Sequence, residues 1–248
     1  MTEITPGVRE FILAFADDEH LMGQQHTEWI GVTPFLEEDL AFASIGQDEL
    51  GHAAMLYALV AGDDDAAIDE LAFFRPDDEY RSCWLVERAG DDWADALMRH
   101  WMYDLAEMHR WELVAGSSLT ALADASVLAE REEVFHRRHA DSLLDALLPD
   151  TDARNRLEEA KDRFAGLALG MFEGSDGEDE AVAAGIAAAP LSSRLDAWQA
   201  AVDDRLGPTD WAAISVPAQD RRRNRSADFA ALRGRMREVF DLDPAAVW

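Results

Sequence analysis

Asp48-Glu49-Leu50-Gly51-His52 decides the reading of this chain, because its pattern returns at Glu132-Glu133-Val134-Phe135-His136. Both stretches carry Glu-x-x-His. Residues three apart share one face of a helix. A carboxylate and an imidazole on one face make half of a dinuclear metal site in a helical bundle, and two further helices then supply one carboxylate each. Glu19 lies 30 residues before Glu49, and Asp104 lies 29 before Glu133. The chain therefore reads as two similar halves, with Glu19, Glu49, His52, Asp104, Glu133 and His136 as six candidate ligands. A single Glu-x-x-His in an acidic helix is usually a solvated pair, so the weight rests on the repeat.

Glu49 and Glu133 are the expected bridging carboxylates and the chemically central pair. Oxygen ligands with one nitrogen per metal suit two iron ions, or manganese, whereas zinc prefers a smaller tetrahedral shell. Asp48 and Glu132 each stand four residues before a motif histidine. They are expected to orient the imidazoles by hydrogen bonding, within a helix or across helices. On the third main helix Glu107, one turn on, competes with Asp104. The near-equal spacing favours Asp104.

Outward from the motifs, the apolar positions follow helical periodicity. Val8, Phe11, Ile12, Phe15 and Glu19 share a stripe, so Glu19 is directed at the core, where a carboxylate needs a partner. Main helices are expected at 7–29, 35–61, 93–120, 123–147 and 152–172, with shorter ones at 77–87, 181–189, 191–206 and 227–240. The expected fold is all-α: a ferritin-like four-helix bundle in a single domain, residues 1–248, with its core at about 7–172 and a helical C-terminal extension over 173–248. His20 is expected at the surface, and His139 at the surface or facing a partner. Gly46 and Gly51 serve either close helix packing or space beside the metal. Trp101, Tyr103 and Trp111 either line an apolar cavity or pack the core. Arg75, Arg81, Arg88 and the cluster Arg221-Arg222-Arg223-Asn224-Arg225 either meet phosphate or pair with nearby acids.

Composition narrows the function. Apolar residues make up 48% of the 248, enough for a folded core, and the formal net charge is -29 from 51 acidic and 22 basic residues. Nucleic acid is excluded as a partner for such a body. No apolar run reaches the length of a membrane span, and the start of the chain has no signal pattern, so the cytoplasm is the default compartment. One cysteine, Cys83, allows neither an internal disulfide nor a cysteine-held cluster. No nucleophile elbow, phosphate-binding loop or dinucleotide fingerprint is present.

With these residues in place, the sequence resembles the ferritin-like di-iron proteins, and more closely the subunits of bacterial phenylacetyl-CoA epoxidase. The marks are Glu28-Trp29-Ile30-Gly31, the run from Leu40 to His52, and Val216-Pro217 before the last helix. Length and C-terminus are similar to the structural subunit, which typically lacks a full ligand set. The six ligand positions match the catalytic subunit. The resemblance implies a dioxygen-activating monooxygenase component of phenylacetate catabolism, working on an aryl-CoA or related aromatic substrate. It further implies a homodimer or heteromeric complex, and electrons from a separate reductase. The aromatic ring is expected near Trp101 and Trp111, and the CoA arm along Arg75 or Arg225. The alternative is a non-catalytic structural subunit with vestigial ligands. Iron storage fits less well, because the long C-terminal extension does not suit a closed cage.

The scattered acid reads as a surface adapted to high salt, or as one that a basic partner covers in part. Screening shortens to about 3 Å at 1 M salt, which mutes repulsion between like charges. The first reading predicts a melting temperature that climbs from low to molar salt. A melt indifferent to salt would leave partner coverage as the account of the charge.

Overall fold

The computed structural model describes residues 4–244; Trp248 and the first residues of the MTEITPGVRE stretch lie outside them. Ten α-helices and no strand occur among the described residues. They are α1 Pro6–Thr27, α2 Leu36–Ala61, α3 Asp65–Asp69, α4 Trp84–Glu87, α5 Trp93–Val114, α6 Thr120–Leu147, α7 Thr151–Leu169, α8 Glu178–Ala183, α9 Leu195–Leu206 and α10 Phe229–Leu242. No helix among the described residues is long and apolar enough to cross a membrane.

Local signals set the ends of the main helices. Thr5 caps α1, accepting from the Val8 amide at 3.3 Å, and Pro6 occupies the first turn, where its missing N–H costs nothing. Asp92 caps α5 and Asp150 caps α7 in the same way. Gly62 and Gly207 end α2 and α9 at positive φ, a conformation that glycine adopts without strain.

α1 and α5 are the inner helices. Asp17, Asp18, Glu19 and His20 are buried in succession, and so is every residue from Asp95 to Glu107. α2 and α6 bury one face and leave the other open. α1 packs on α2, α4 and α8; α5 packs on α6, α7 and α9; α2 packs on α6. The apolar interior divides into two clusters, one holding Val8, Ile12, Phe15, Trp111 and Val114, the other Leu21, Met22, Trp101, Met102 and Trp198. Along α1 the changeover comes at Asp17–His20, and along α5 between Ala106 and Trp111. The buried acids therefore occupy the waist between two dry cores.

Two expectations at the helix level are corrected. The stretch 77–87 is not one helix: it is a single tight turn at Asp77–Glu79 and the short α4. The cause is competition for backbone donors. The Arg81 amide is taken by Asp17 at 2.6 Å, the Cys83 amide by Asp18 at 2.7 Å and the Trp84 amide by Gln219 at 2.8 Å, so this stretch of chain stays extended. The helix expected at 181–189 stops at Ala183, because Gly185 turns at φ 69° and the following amide groups bond outside the helix, Ala188 to the Leu113 carbonyl at 2.8 Å. His20 is also corrected from surface to core: it is buried edge-on against Phe73, 4.9 Å between ring centroids.

The glycines divide. A Cβ on Gly46 would lie 3.2 Å from the Gly23 carbonyl oxygen, and one on Gly23 would lie 3.1 Å from the Glu49 Cβ. This pair lets α1 and α2 cross closely, whereas Gly51 faces open space. Neither glycine makes room beside the acids.

The basic cluster is internal scaffolding. Asp220, Arg221 and Arg222 all take left-handed backbone angles, φ 49°, 51° and 66°. Such angles cost a non-glycine residue roughly 1–2 kcal/mol each. The strain turns Arg222 inward, where it pairs with Asp18 and donates to the Met171 carbonyl at 2.7 Å. Arg225 pairs with Glu87 at 2.6 Å, and Arg221 and Arg223 both meet Asp176. Burial pushes the Asp18 pKa up, but Arg222 and Arg110 outweigh it and hold the carboxyl below its ordinary value. Its stabilising contribution is then complete at neutral pH and is lost as pH falls through the lowered folded-state value. Replacing Arg222 by Ala leaves Asp18 with Arg110 alone and should cost about 3 kcal/mol. Urea melts of the variant at neutral pH test this, and a loss within error of zero would refute it.

Candidate metal centre

Four helices converge their acids on one buried volume. Glu19 comes from α1, Glu49 and His52 from α2, Asp104 and Glu107 from α5, Glu133 and His136 from α6; all seven are at most 1% exposed. Their ligand atoms fall into three overlapping groups within metal-binding reach: Glu19, Glu49, His52 and Glu107; Glu49, Glu133 and His136; Asp104, Glu107 and Glu133. The six residues singled out by spacing thus come together, and Glu107 joins them. Asp104 sits toward one side, with its Oδ1 3.1 Å from His100 Nδ1. Glu107 belongs to two of the groups and accepts from the Tyr103 hydroxyl at 3.3 Å. His100 to Asp104 and Tyr103 to Glu107 are both four-residue steps on α5, a spacing visible in the sequence.

The two motifs interlock. His52 turns Nδ1 inward, 3.2 Å from Glu19 Oε2 and 3.7 Å from Glu133 Oε1; His136 turns Nδ1 inward, 3.3 Å from Glu133 Oε1 and 3.7 Å from Glu49 Oε1. Each motif carboxylate therefore reaches a histidine across the α2–α6 seam. The outward nitrogens cross as well: His52 Nε2 lies 2.8 Å from Glu132, and His136 Nε2 lies 3.2 Å from Asp48. An N–H held at Nε2 by a carboxylate leaves the Nδ1 lone pair facing the acids. His139 stands apart from this set; it is half-buried and bonded to Glu38 at 2.9 Å, not free at the surface.

The donor chemistry fits a pair of cations. Among the described residues, both oxygens of Glu49, Asp104 and Glu133, with Glu19 Oε1, Glu107 Oε2 and His136 Nδ1, are buried without a hydrogen-bond partner. Burial pushes the Glu19 pKa up to about 8, with Glu133 adding to the rise. Burial, then Glu19 and Glu133, push Glu49 well above the carboxylate range. For His136 burial works downward, but Glu133, Asp48 and Glu49 prevail and hold it well above its ordinary value. Negative charge is in excess here, and it must be offset by protons or by metal. Five carboxylates and two imidazoles match the oxygen-rich, one-nitrogen-per-metal pattern of two iron ions.

The surroundings correct the placement of a substrate. Trp101 and Trp111 are fully buried packing residues: Trp101 Nε1 donates to Asp141 at 2.9 Å, and Trp111 lies 4.4 Å from the Phe15 ring and 5.3 Å from the His52 ring. The opening that touches the acids is a cleft of about 370 Å³ between α5 and α6, walled by Leu105, Met108 and Val134 and reaching Glu133. Its charged lining includes Arg137 and Glu130, which helical spacing alone does not mark out. Arg75 and Arg225 are already engaged, Arg75 with Asp17 and Arg225 with Glu87, so neither is free for a CoA arm.

Comparison with known proteins agrees with this architecture. The chain is 29% identical over 213 residues, 84% of each chain, to one of the subunits of the 1,2-phenylacetyl-CoA epoxidase of Escherichia coli (strain K12). Residues 2–248 match the family described as Phenylacetic acid catabolic protein. Taken with the four-helix fold and the interlocked Glu-x-x-His pair, this match over the whole length shows that the chain belongs to the phenylacetic acid catabolic protein family.

Proposed function

We propose that this chain is the dioxygen-activating, di-iron subunit of a multicomponent epoxidase acting on an aryl-CoA thioester. The observation that carries this reading is the complete buried set of carboxylates and histidines, with its oxygens unpaired and its imidazoles turned inward. Two irons at this position supply the two-electron activation of dioxygen that inserting one oxygen atom into an aromatic ring requires.

The protein's own residues do the rest. Glu49 and Glu133 lie between the two histidines and serve as the shared carboxylates; Glu19 and Glu107, with Asp104, complete the set. Glu132 and Asp48 hold the imidazoles with Nδ1 inward across the α2–α6 seam. Leu105, Met108 and Val134 give the ring an apolar wall beside Glu133 and keep water from the reacting edge. Electrons come from a separate reductase, since a single buried cysteine cannot hold an iron–sulphur cluster.

The second reading is a non-catalytic structural component with vestigial ligands. It draws on a length and C-terminal end similar to those of the family's structural member. Anaerobic ferrous loading separates the two. The di-iron reading expects two irons per chain and a coupled dinuclear Mössbauer signal; Glu49→Ala abolishes the coupled pair, and Glu107→Ala weakens it at least as much as Asp104→Ala. A chain that takes up no iron defeats the proposal. One that takes up iron yet leaves dioxygen and substrate unchanged, with reductase supplied, is the structural component.

The crossed carboxylates make a separate prediction. Glu132→Gln or Asp48→Asn should lower iron affinity about 10- to 100-fold with little change in melting temperature of the iron-free chain. Competition with a chelator reads the affinity. Unchanged affinity in both variants would make these two acids ordinary surface groups.

A further inference from the structure

The outer sides of α2 and α6 break the rule that governs the rest of this surface. In a chain with 51 acidic residues, the exposed positions of α2 from 40 to 61 are Leu40, Ser44, Gln47, Gly51 and Ala54, none of them charged. Leu36, on the preceding turn, is 70% exposed. On the neighbouring α6, Val127, Leu128, Val134 and Phe135 are exposed. Large apolar side chains grouped on one open side mark a contact surface more often than isolated ones do.

The exposed row of α6 is also ordered. Ala121, Asp124, Leu128, Arg131, Phe135, Arg138 and Ser142 are all exposed and follow one another at steps of three and four. That is the spacing of a helix seam that packs on another helix. Reversed end to end about Arg131, the row reproduces its own chemistry. Ala121 meets Ser142, both small; Asp124 meets Arg138, opposite in charge; Leu128 meets Phe135, both large and apolar. Among the described residues neither Asp124 nor Arg138 has an ion-pair partner within its own chain. A surface that is complementary to itself under a half-turn is what a two-fold interface requires.

From this self-complementary row we infer that α6 of one chain packs antiparallel on α6 of a second copy, with the uncharged side of α2 flanking the seam. The occupant is a second copy of this chain, since a different partner has no reason to match the mirrored order of charge and size. Asp124 of each copy meets Arg138 of the other, twice per dimer. Arg131 falls on the axis beside its own counterpart, the one position where the pairing is unfavourable. The association keeps the highly charged remainder of both surfaces in solvent.

Sedimentation and light scattering on the full-length, metal-free chain in molar salt test this independently of the iron reading, which needs no dimer. A dimer is expected for the wild type. Asp124→Arg alone and Arg138→Asp alone should each weaken it by at least about tenfold, and the double variant, which restores opposite charges, should recover most of the loss. Arg131→Leu should tighten it by removing the like pair. Circular dichroism on each variant separates lost association from lost folding. A wild type that stays monomeric up to its solubility limit overturns the inference. So does a double variant no better than its singles, or an Arg131→Leu chain that dimerises less well. A mass accounted for only by a different protein chain assigns this face to that protein and overturns it too.

Discussion

Three consecutive buried acids on α1 constrain nearly everything else. Asp17, Asp18 and Glu19 each point about 100° from the last, so a helix buried on all sides sends three carboxylates into three parts of the interior. An unpaired buried charge costs several kcal/mol, and each acid has a different remedy. Asp17 receives Arg75, the Tyr57 hydroxyl at 2.7 Å and the Arg81 amide. Asp18 receives Arg110, Arg222 and the Cys83 amide. Glu19 receives a histidine and more carboxylates. The contrast carries the case for metal: where this chain needs neutral burial it brings arginine, and only around Glu19 does it gather acid on acid.

The same constraint explains the C-terminal extension. Residues beyond the bundle return Arg222 to Asp18 and Arg225 to Glu87, at the expense of a strained left-handed turn at 220–222. The segment between α3 and α4 is held extended because its amides are also claimed by the acids of α1. The extension and the long interhelical link are therefore counter-ion carriers for the inner helix. They cover one side of the bundle and leave α2 and α6 as its open side. That open side carries both Glu-x-x-His motifs, the crossed carboxylates that orient them and the uncharged helix face.

Much of the centre was legible in the sequence because its information is local. Glu-x-x-His puts two ligands on one face at any helical position, and the repeat at nearly equal distances names the partner helices without any knowledge of how they pack. Helix type and the main boundaries follow from apolar period, caps and prolines for the same reason. What spacing cannot rank is two acids one turn apart, since Asp104 and Glu107 lie on the same face of α5. Packing brings Glu107 into two ligand groups and leaves Asp104 beside His100. Nor can spacing show that the motifs exchange carboxylates, because Glu132 reaches His52 across 80 positions and Asp48 reaches His136 across 88.

The sequence by itself determined the all-α class, the Glu-x-x-His pair and the excess acid, because each depends on residues a few positions apart or on composition. The tertiary structure alone decided which arginines are spent inside. Arg75, Arg222 and Arg225 look like phosphate contacts along the chain and prove to be internal counter-ions. It alone decided that Trp101 and Trp111 are packing, that the opening to the centre lies between α5 and α6, and that His20 is buried. The physical reason is common to all of these. The fate of a charge or a ring depends on what lies opposite it, and in a bundle the opposing residue comes from another helix at a distance in sequence that no local pattern records.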